Sequence, residues 1–196
     1  TVETTGLQDY NDAVTLGADT VLTATRAQFL STLDGSQTLV VNGAATFGDV
    51  VGGTNALTGL IVSGATEING GAVTTTNAGP VGVQGYQGPV TLGADTTLTV
   101  DSGGPNSDVT FGSTLDGGQT LAVNTAGTTQ FLSAVGGATP LNALTVTGDT
   151  VLGVDVTTTG TQTYGDDPNT DRITLTEDVT LNSGGTDIVI ASMVNG

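Results

Sequence analysis

The chain contains no cysteine, histidine, lysine or tryptophan, and its only basic residues are Arg26 and Arg172. Without cysteine there is no disulfide, thiolate metal site or thiol nucleophile. Without histidine the usual nucleophile–histidine–acid arrangement has no proton shuttle. Without lysine no lysine–asparagine isopeptide crosslink can form. Against the two arginines stand 19 acidic residues, a formal net charge of −17. A phosphate-backbone partner is excluded, because nucleic-acid affinity comes from Lys and Arg displacing counterions. Electrostatic binding to anionic lipid fails for the same reason. No apolar run approaches the ~18 residues of a membrane-spanning helix, so no membrane insertion is expected. Asn-x-Ser/Thr glycosylation sites are also missing.

Glycine and threonine fill the space: Gly numbers 31, and Thr is more numerous still. Both favour strands and turns over helix. The hydrophobic fraction is 36% and sits in short runs such as Thr38-Leu-Val-Val41 and Ile188-Val-Ile190, enough for a thin continuous core. The acidic surplus reads first as a surface that resists lateral aggregation.

Internal repeats are plain. Val14-Thr-Leu-Gly-Ala-Asp-Thr-Val-Leu22 returns at Val90–Leu98 and, degraded, at Ile173–Leu181. Ser31-Thr-Leu-Asp-Gly-Ser-Gln-Thr-Leu39 returns at Ser113–Leu121. Val51-Gly-Gly returns at Val135, and Val73-Thr-Thr-Thr at Val156. Each return comes after about 80 residues, the self-similarity at a set period that marks a repeat architecture. The chain reads as one continuous segment, 1–196, of about two and a half copies (1–72, 73–155, 156–196), cut from a longer protein.

The unit divides further. Leu98, Leu121 and Leu144 are evenly spaced along the second copy. Two more series run through Leu92, Leu115, Leu141 and through Phe111, Phe131, Val151. The first copy offers Leu22, Leu39, Leu60; Leu16, Leu33, Leu57; and Phe29, Phe47, Ile68. Between them lie turn signals such as Leu-Gly-Ala-Asp and Val-Gly-Gly, where glycine and Asx residues serve tight corners. Three short alternating strands and three corners in about 20–25 residues describe one coil of a β-solenoid. The predicted fold is therefore all-β, a parallel β-helix with three short strands per coil. At ~4.8 Å per coil, nine or ten coils make a rod on the order of 45 Å long.

Three insertions break the repeat: one inside Asp101–Asp108, one between Val73 and Tyr86 that includes Pro80, and one between Tyr164 and Ile173. Each is expected at a corner, where a solenoid tolerates it. A string of β-sandwich domains fits less well, since those bury a large aromatic and have no place for the short leucine sub-period.

The phrases at 156–164 (VTTTGTQTY), 89–99, 111–121 and 144–150 resemble the repeats of giant bacterial exoproteins of the filamentous-haemagglutinin-like kind, along the whole chain. The resemblance implies a right-handed parallel β-helix exported to the cell surface or medium. It implies a structural stalk or extracellular filament supporting adhesion, aggregation or biofilm matrix. The partners it suggests are neighbouring repeats, end-to-end copies, and host or bacterial surface glycans.

The residues suggest no enzyme. Arg172 beside Asp166, Asp167 and Asp171 is a faint echo of a polysaccharide-lyase site, and a polar corner with one ion pair is the plainer expectation. Asp167, Asn169 and Asp171 place oxygen ligands at positions one, three and five of a calcium loop, but Arg172 occupies the sixth, where a glycine belongs. Calcium is thus the one cofactor the spacing raises, and a calcium- or glycan-binding module on loops 101–108 or 165–171 is the alternative to a plain stalk. The triplets Thr74–Thr76 and Thr157–Thr159 suggest an ice-ordering face. They recur once per repeat rather than once per coil, so no flat array is expected.

Overall fold

A computed structural model describes residues 1–76, 83–101 and 107–195. Every regular element among them is a β-strand, two to ten residues long, and every strand pairing is parallel. The chain is a β-solenoid of the parallel β-helix type with about nine turns.

Three ladders run its length. Face A joins Val2, Leu22, Val41, Val62, Tyr86, Phe111, Phe131, Leu152 and Leu175 in register. Face B begins Gln8–Tyr10, Ala27–Phe29, Ala45–Phe47, Thr66–Ile68 and Val90–Leu92. It continues through Leu115, Val135, Val156 and Leu181. Face C joins Val14, Leu33, Val51, Val73, Leu98, Val123, Val146, Tyr164 and Ile190. The chain visits A, B and C in turn. Coils differ in length: on face A the shortest runs from Leu22 to Val41 and the longest from Tyr86 to Phe111.

The strands form because alternate side chains enter one shared core. Thr96–Asp101 and Val109–Phe111 alternate buried and exposed or half-buried positions. Leu33, Leu39, Leu57, Leu60, Leu115, Leu121 and Leu144 are fully buried. Removing such side chains from water contributes about 1.5–3 kcal/mol each. Aromatic rings stack along two ladders. Tyr10–Phe29–Phe47 lie with centroids 4.9 and 5.7 Å apart, and Tyr86–Phe111–Phe131 with 5.5 and 5.2 Å.

The expected ladders hold in part. Phe29–Phe47–Ile68, Leu39–Leu60, Leu121–Leu144 and Phe111–Phe131 are register neighbours. Leu98, however, pairs with Val123, Leu22 with Val41, and Phe131 with Leu152 rather than Val151. Leu115 meets Val90 and Val135, while Leu141 bridges Thr158. Leu33 meets Val14 and Val51 rather than Leu16 and Leu57. The cause is coil length: it varies, so equal spacing in sequence does not mean equal height on the rod.

The long repeat has a further geometry. Tyr10 lies on face B, Tyr86 on face A and Tyr164 on face C. Leu33, Val51 and Val73 on face C correspond to Leu115, Val135 and Val156 on face B. Each repeat therefore falls one strand short of four full coils and sits one face back from its predecessor.

The segment 165–171 turns a corner, between Tyr164 on face C and Arg172 on face A. The other two insertions lie largely at 77–82 and 102–106, outside the described residues.

Candidate functional site

The calcium spacing does not assemble a cage. Asp167 Oδ1 accepts the backbone N–H and the side-chain amide of Asn169, at 2.9 and 3.1 Å. Asp171 Oδ2 accepts the N–H groups of Asp166 and Asp167, at 2.8 and 2.9 Å. The Asp167 carbonyl closes the turn by accepting from Asp171 N at 2.9 Å. These oxygens hold their own loop in shape. Among the described residues no three acidic side chains converge on a point where a metal ion would sit.

Protonation follows the same bonds. The N–H and amide donors of Asn169 hold the Asp167 carboxyl below its ordinary value. Burial pushes Asp171 up, but the N–H donors of Asp166 and Asp167 outweigh it and the carboxyl ends lower than usual. The hydrogen bond from Asp166 to Asp171 favours protonated Asp166, and burial and the Asp171 charge add to it, so Asp166 titrates higher.

Arg172 does not form the expected ion pair. Its backbone N–H donates to Asp149 Oδ1 at 2.9 Å. The ion pair found among the described residues is Arg26–Glu67, at 3.4 Å, with Thr46 bridging to Glu67 at 3.1 Å. Both side chains are about two-fifths exposed (40% and 41%), so the pair contributes little, on the order of 0–1 kcal/mol.

The carboxylates that matter to the rod are elsewhere. Asp19 Oδ1 accepts the N–H of Thr38, Asp95 that of Thr120, and Asp155 that of Thr180, each at 2.8 Å. Asp108 takes Thr128 N–H at 2.9 Å. Asp34 takes those of Thr54 and Asn55 at 2.8 and 3.0 Å, and Asp116 those of Ala138 and Thr139 at the same two distances. Every acceptor lies one coil before its donor. A good share of the acidic surplus is therefore a set of corner staples that satisfy backbone N–H groups where the ladder is interrupted.

Sequence reasoning missed a buried polar group that returns in every long repeat. Gln8-Asp-Tyr10, Gln84-Gly-Tyr86 and Gln162-Thr-Tyr164 are the same motif in three repeats. In each, the Tyr hydroxyl donates to Gln Oε1, at 3.2, 3.1 and 2.9 Å. Gln84 Nε2 donates to the carbonyls of Val73 and Thr99, at 3.2 and 2.9 Å, and Gln162 Nε2 to those of Val156 and Asn182, at 3.3 and 2.9 Å. The two carbonyls belong to successive coils, so each glutamine ties two coils together from inside. Burial pushes the phenols of Tyr86 and Tyr164 well above their ordinary value. The return of Gln-x-Tyr once in every long repeat was the available signal.

The threonine triplets find their role here. Thr75 and Thr158 face inward and accept from Gln84 and Gln162 at 3.4 and 3.2 Å. Outward threonines do gather on face C from different parts of the repeat. Thr74 and Thr99 form one column that Asn124 interrupts. Thr97, Thr145 and Thr163 share another with Ala72 and Ala122.

No family model, curated protein or solved structure matches the chain. What the geometry defines is a class, a parallel β-helical repeat rod with polar staples inside and at its corners.

Proposed function

We propose that the chain is a shaft segment of a bacterial cell-surface or secreted adhesin or extracellular filament, with a mechanical and spacing role and no catalysis. The observation that carries this reading is the deployment of its polar side chains. Six aspartates (Asp19, Asp34, Asp95, Asp108, Asp116, Asp155) and the two buried glutamines each bond from one coil to the next. Such cross-coil bonds resist separation along the axis, which is what a load-bearing stalk needs. The likeness of its repeat phrases to giant exoprotein repeats supports the surface location and the adhesive context. Neighbouring coils of the same repeat, in the chain or in a copy stacked end to end, are the partners this reading supplies.

The test has two parts. Electron microscopy of the purified chain should show uniform rods about 43 Å long, nine coils at ~4.8 Å. Antibody against the chain, applied to intact cells that produce it, should decorate their exterior or the surrounding matrix. Labelling only after the cells are broken open overturns the surface reading.

A further inference from the structure

An aspartyl or asparaginyl side chain followed by glycine can close on the backbone. The glycine nitrogen attacks the side-chain carbonyl and a five-membered succinimide forms. Glycine, with no side chain of its own, hinders that attack least. The chain holds five such bonds: Asp34–Gly35, Asn42–Gly43, Asn69–Gly70, Asp116–Gly117 and Asn195–Gly196. The last reaches Gly196, outside the described residues. In three of the other four the glycine nitrogen is occupied. Gly35 N–H donates to the Asn55 carbonyl at 3.0 Å, and Gly117 N–H to that of Thr139 at 3.2 Å. Gly43 N–H donates to Ser63 Oγ at 3.0 Å. Each partner lies one coil further on, so the stacking of coils ties the nucleophile down. The side chains are tied as well. Asp34 and Asp116 each accept two N–H groups, and Asn42 Nδ2 donates to Thr23 Oγ1 at 3.3 Å.

Asn69–Gly70 has neither restraint. The Gly70 N–H and the Asn69 side-chain amide make no hydrogen bond with other described residues. The pair turns the corner between Thr66–Ile68 on face B and Ala72–Thr76 on face C. Its flanks are held: Asn69 N–H donates to the Phe47 carbonyl at 2.8 Å, and Gly71 turns with φ at +75°. Asn42 and Asn69 are both exposed, so access to water does not separate them; the partner of the following N–H does. The corner is also tight. A Cβ on Gly70 would run into the Asp49 carbonyl one coil before, and a Cβ on Gly93, one coil after, would run into Asn69 Oδ1.

We propose that Asn69–Gly70 is a self-modification site, where the rod deamidates and loosens one of its own corners. The Gly70 nitrogen bonds to Asn69 Cγ and gives up its proton, and the side-chain amide nitrogen leaves as ammonia. Water then opens the succinimide at either carbonyl. One opening gives an aspartyl linkage; the other routes the chain through the side-chain carbon as an isoaspartyl linkage. Water is the only co-reactant, and nothing is oxidised or reduced. Both products add a negative charge to a chain already at −17. The isoaspartyl form also lengthens the backbone by one carbon, where the coils on either side leave no room for it. The matching turn of the next repeat, Leu152-Gly-Val-Asp-Val156, has no Asn-Gly bond, so the weak point marks a single corner. The site rests on corner geometry and is independent of where the rod resides.

The test ages the purified full chain in mildly alkaline buffer. An isoaspartyl methyltransferase then labels the isoaspartate formed, and peptide mass mapping locates it. In the folded chain the label should gather at Asn69, with Asn42 about tenfold slower, the worth of one or two hydrogen bonds broken first. In urea that unfolds the chain the two should react alike, since both are Asn-Gly. Asn69→Gln, whose ring would need six members, should lose the label, and Asn42→Gln should keep it. Both variants should melt with the parent when fresh. The aged parent should melt below the fresh one, while aged Asn69→Gln should not. Equal labelling of Asn42 and Asn69 in the folded chain overturns the proposal, as does an Asn69 that reacts only in urea. An aged, labelled chain that melts with the fresh one overturns the loosening of the corner.

Discussion

At Gln84 one side chain closes four polar atoms that would otherwise sit in an apolar interior. The Tyr86 hydroxyl, the Val73 and Thr99 carbonyls and the Thr75 hydroxyl all meet it. Leucine would fill similar volume but remove these bonds and leave the buried Tyr86 hydroxyl without its acceptor, a loss of about 1–3 kcal/mol. Gln84→Leu should lose about 2–3 kcal/mol, visible as a melting point lower by about 5–10 °C. A melt within 1–2 °C of the parent, about half a kcal/mol, would mean the network is replaceable by packing. The opposite sign is expected at Thr129, whose buried hydroxyl has no partner. Thr129→Val removes a desolvated oxygen at constant shape and should raise stability by about 1 kcal/mol. Glycine behaves by position in the same way. At Gly136, with φ at +67°, a Cβ would run into the Thr157 carbonyl, while at Gly118 it meets nothing within 4 Å. Gly136→Ala should cost about 2–3 kcal/mol and Gly118→Ala almost nothing, a contrast that denaturant melts of the two variants measure directly.

Corners decide how strands find their height on the rod. Asp116 meets the N–H groups of Ala138 and Thr139 one coil later, inside the Gly-Gly bulge. Asp116→Ala should cost about 1–2 kcal/mol, as loss of a helix N-cap does, and should speed hydrogen exchange at those two amides before any global opening. Asp116→Asn keeps the accepting oxygen and should lose less; equal loss in both variants would point to charge rather than the bond. Strand positions, three per coil, were legible in the sequence because alternation and turn residues are local. Register was legible only where coils are equal in length. Leu121 and Leu144 stack as their spacing says, but Leu98 slides past Leu121 to Val123 because its coil is longer. The role of Asp34, Asp116 and Asp155 was hidden for the same reason: acceptor and donor stand a whole coil apart in sequence, a distance meaningful only once the coil is closed. The spacing of Asp167, Asn169 and Asp171 that raises calcium is also the Asx pattern of a self-closing turn, and the hydrogen bonds of the loop are those of such a turn.

Over the whole molecule the repeat and the coil are out of step, so any feature borne by the repeat winds around the rod. The Gln–Tyr pair visits face B, face A and face C in succession, and at Tyr10 and Tyr86 it begins an aromatic stack. That distribution makes the interior's response to alkali a property of the entire length. Tyr86 and Tyr164 are fully buried, and burial raises both phenols above their ordinary value. The folded state therefore holds its phenolic protons at a pH where the unfolded chain, with tyrosine near 10, has released them. Where the unfolded state binds fewer protons, stability falls as pH rises. The contribution is fully present below about pH 10 and is lost progressively above it. A titration followed by phenolate absorbance should show Tyr86 and Tyr164 ionising together with loss of the β-sheet circular dichroism signal. Smooth ionisation of these two near pH 10 with the sheet signal intact would show that the buried Gln–Tyr pairs open to water independently of the rod.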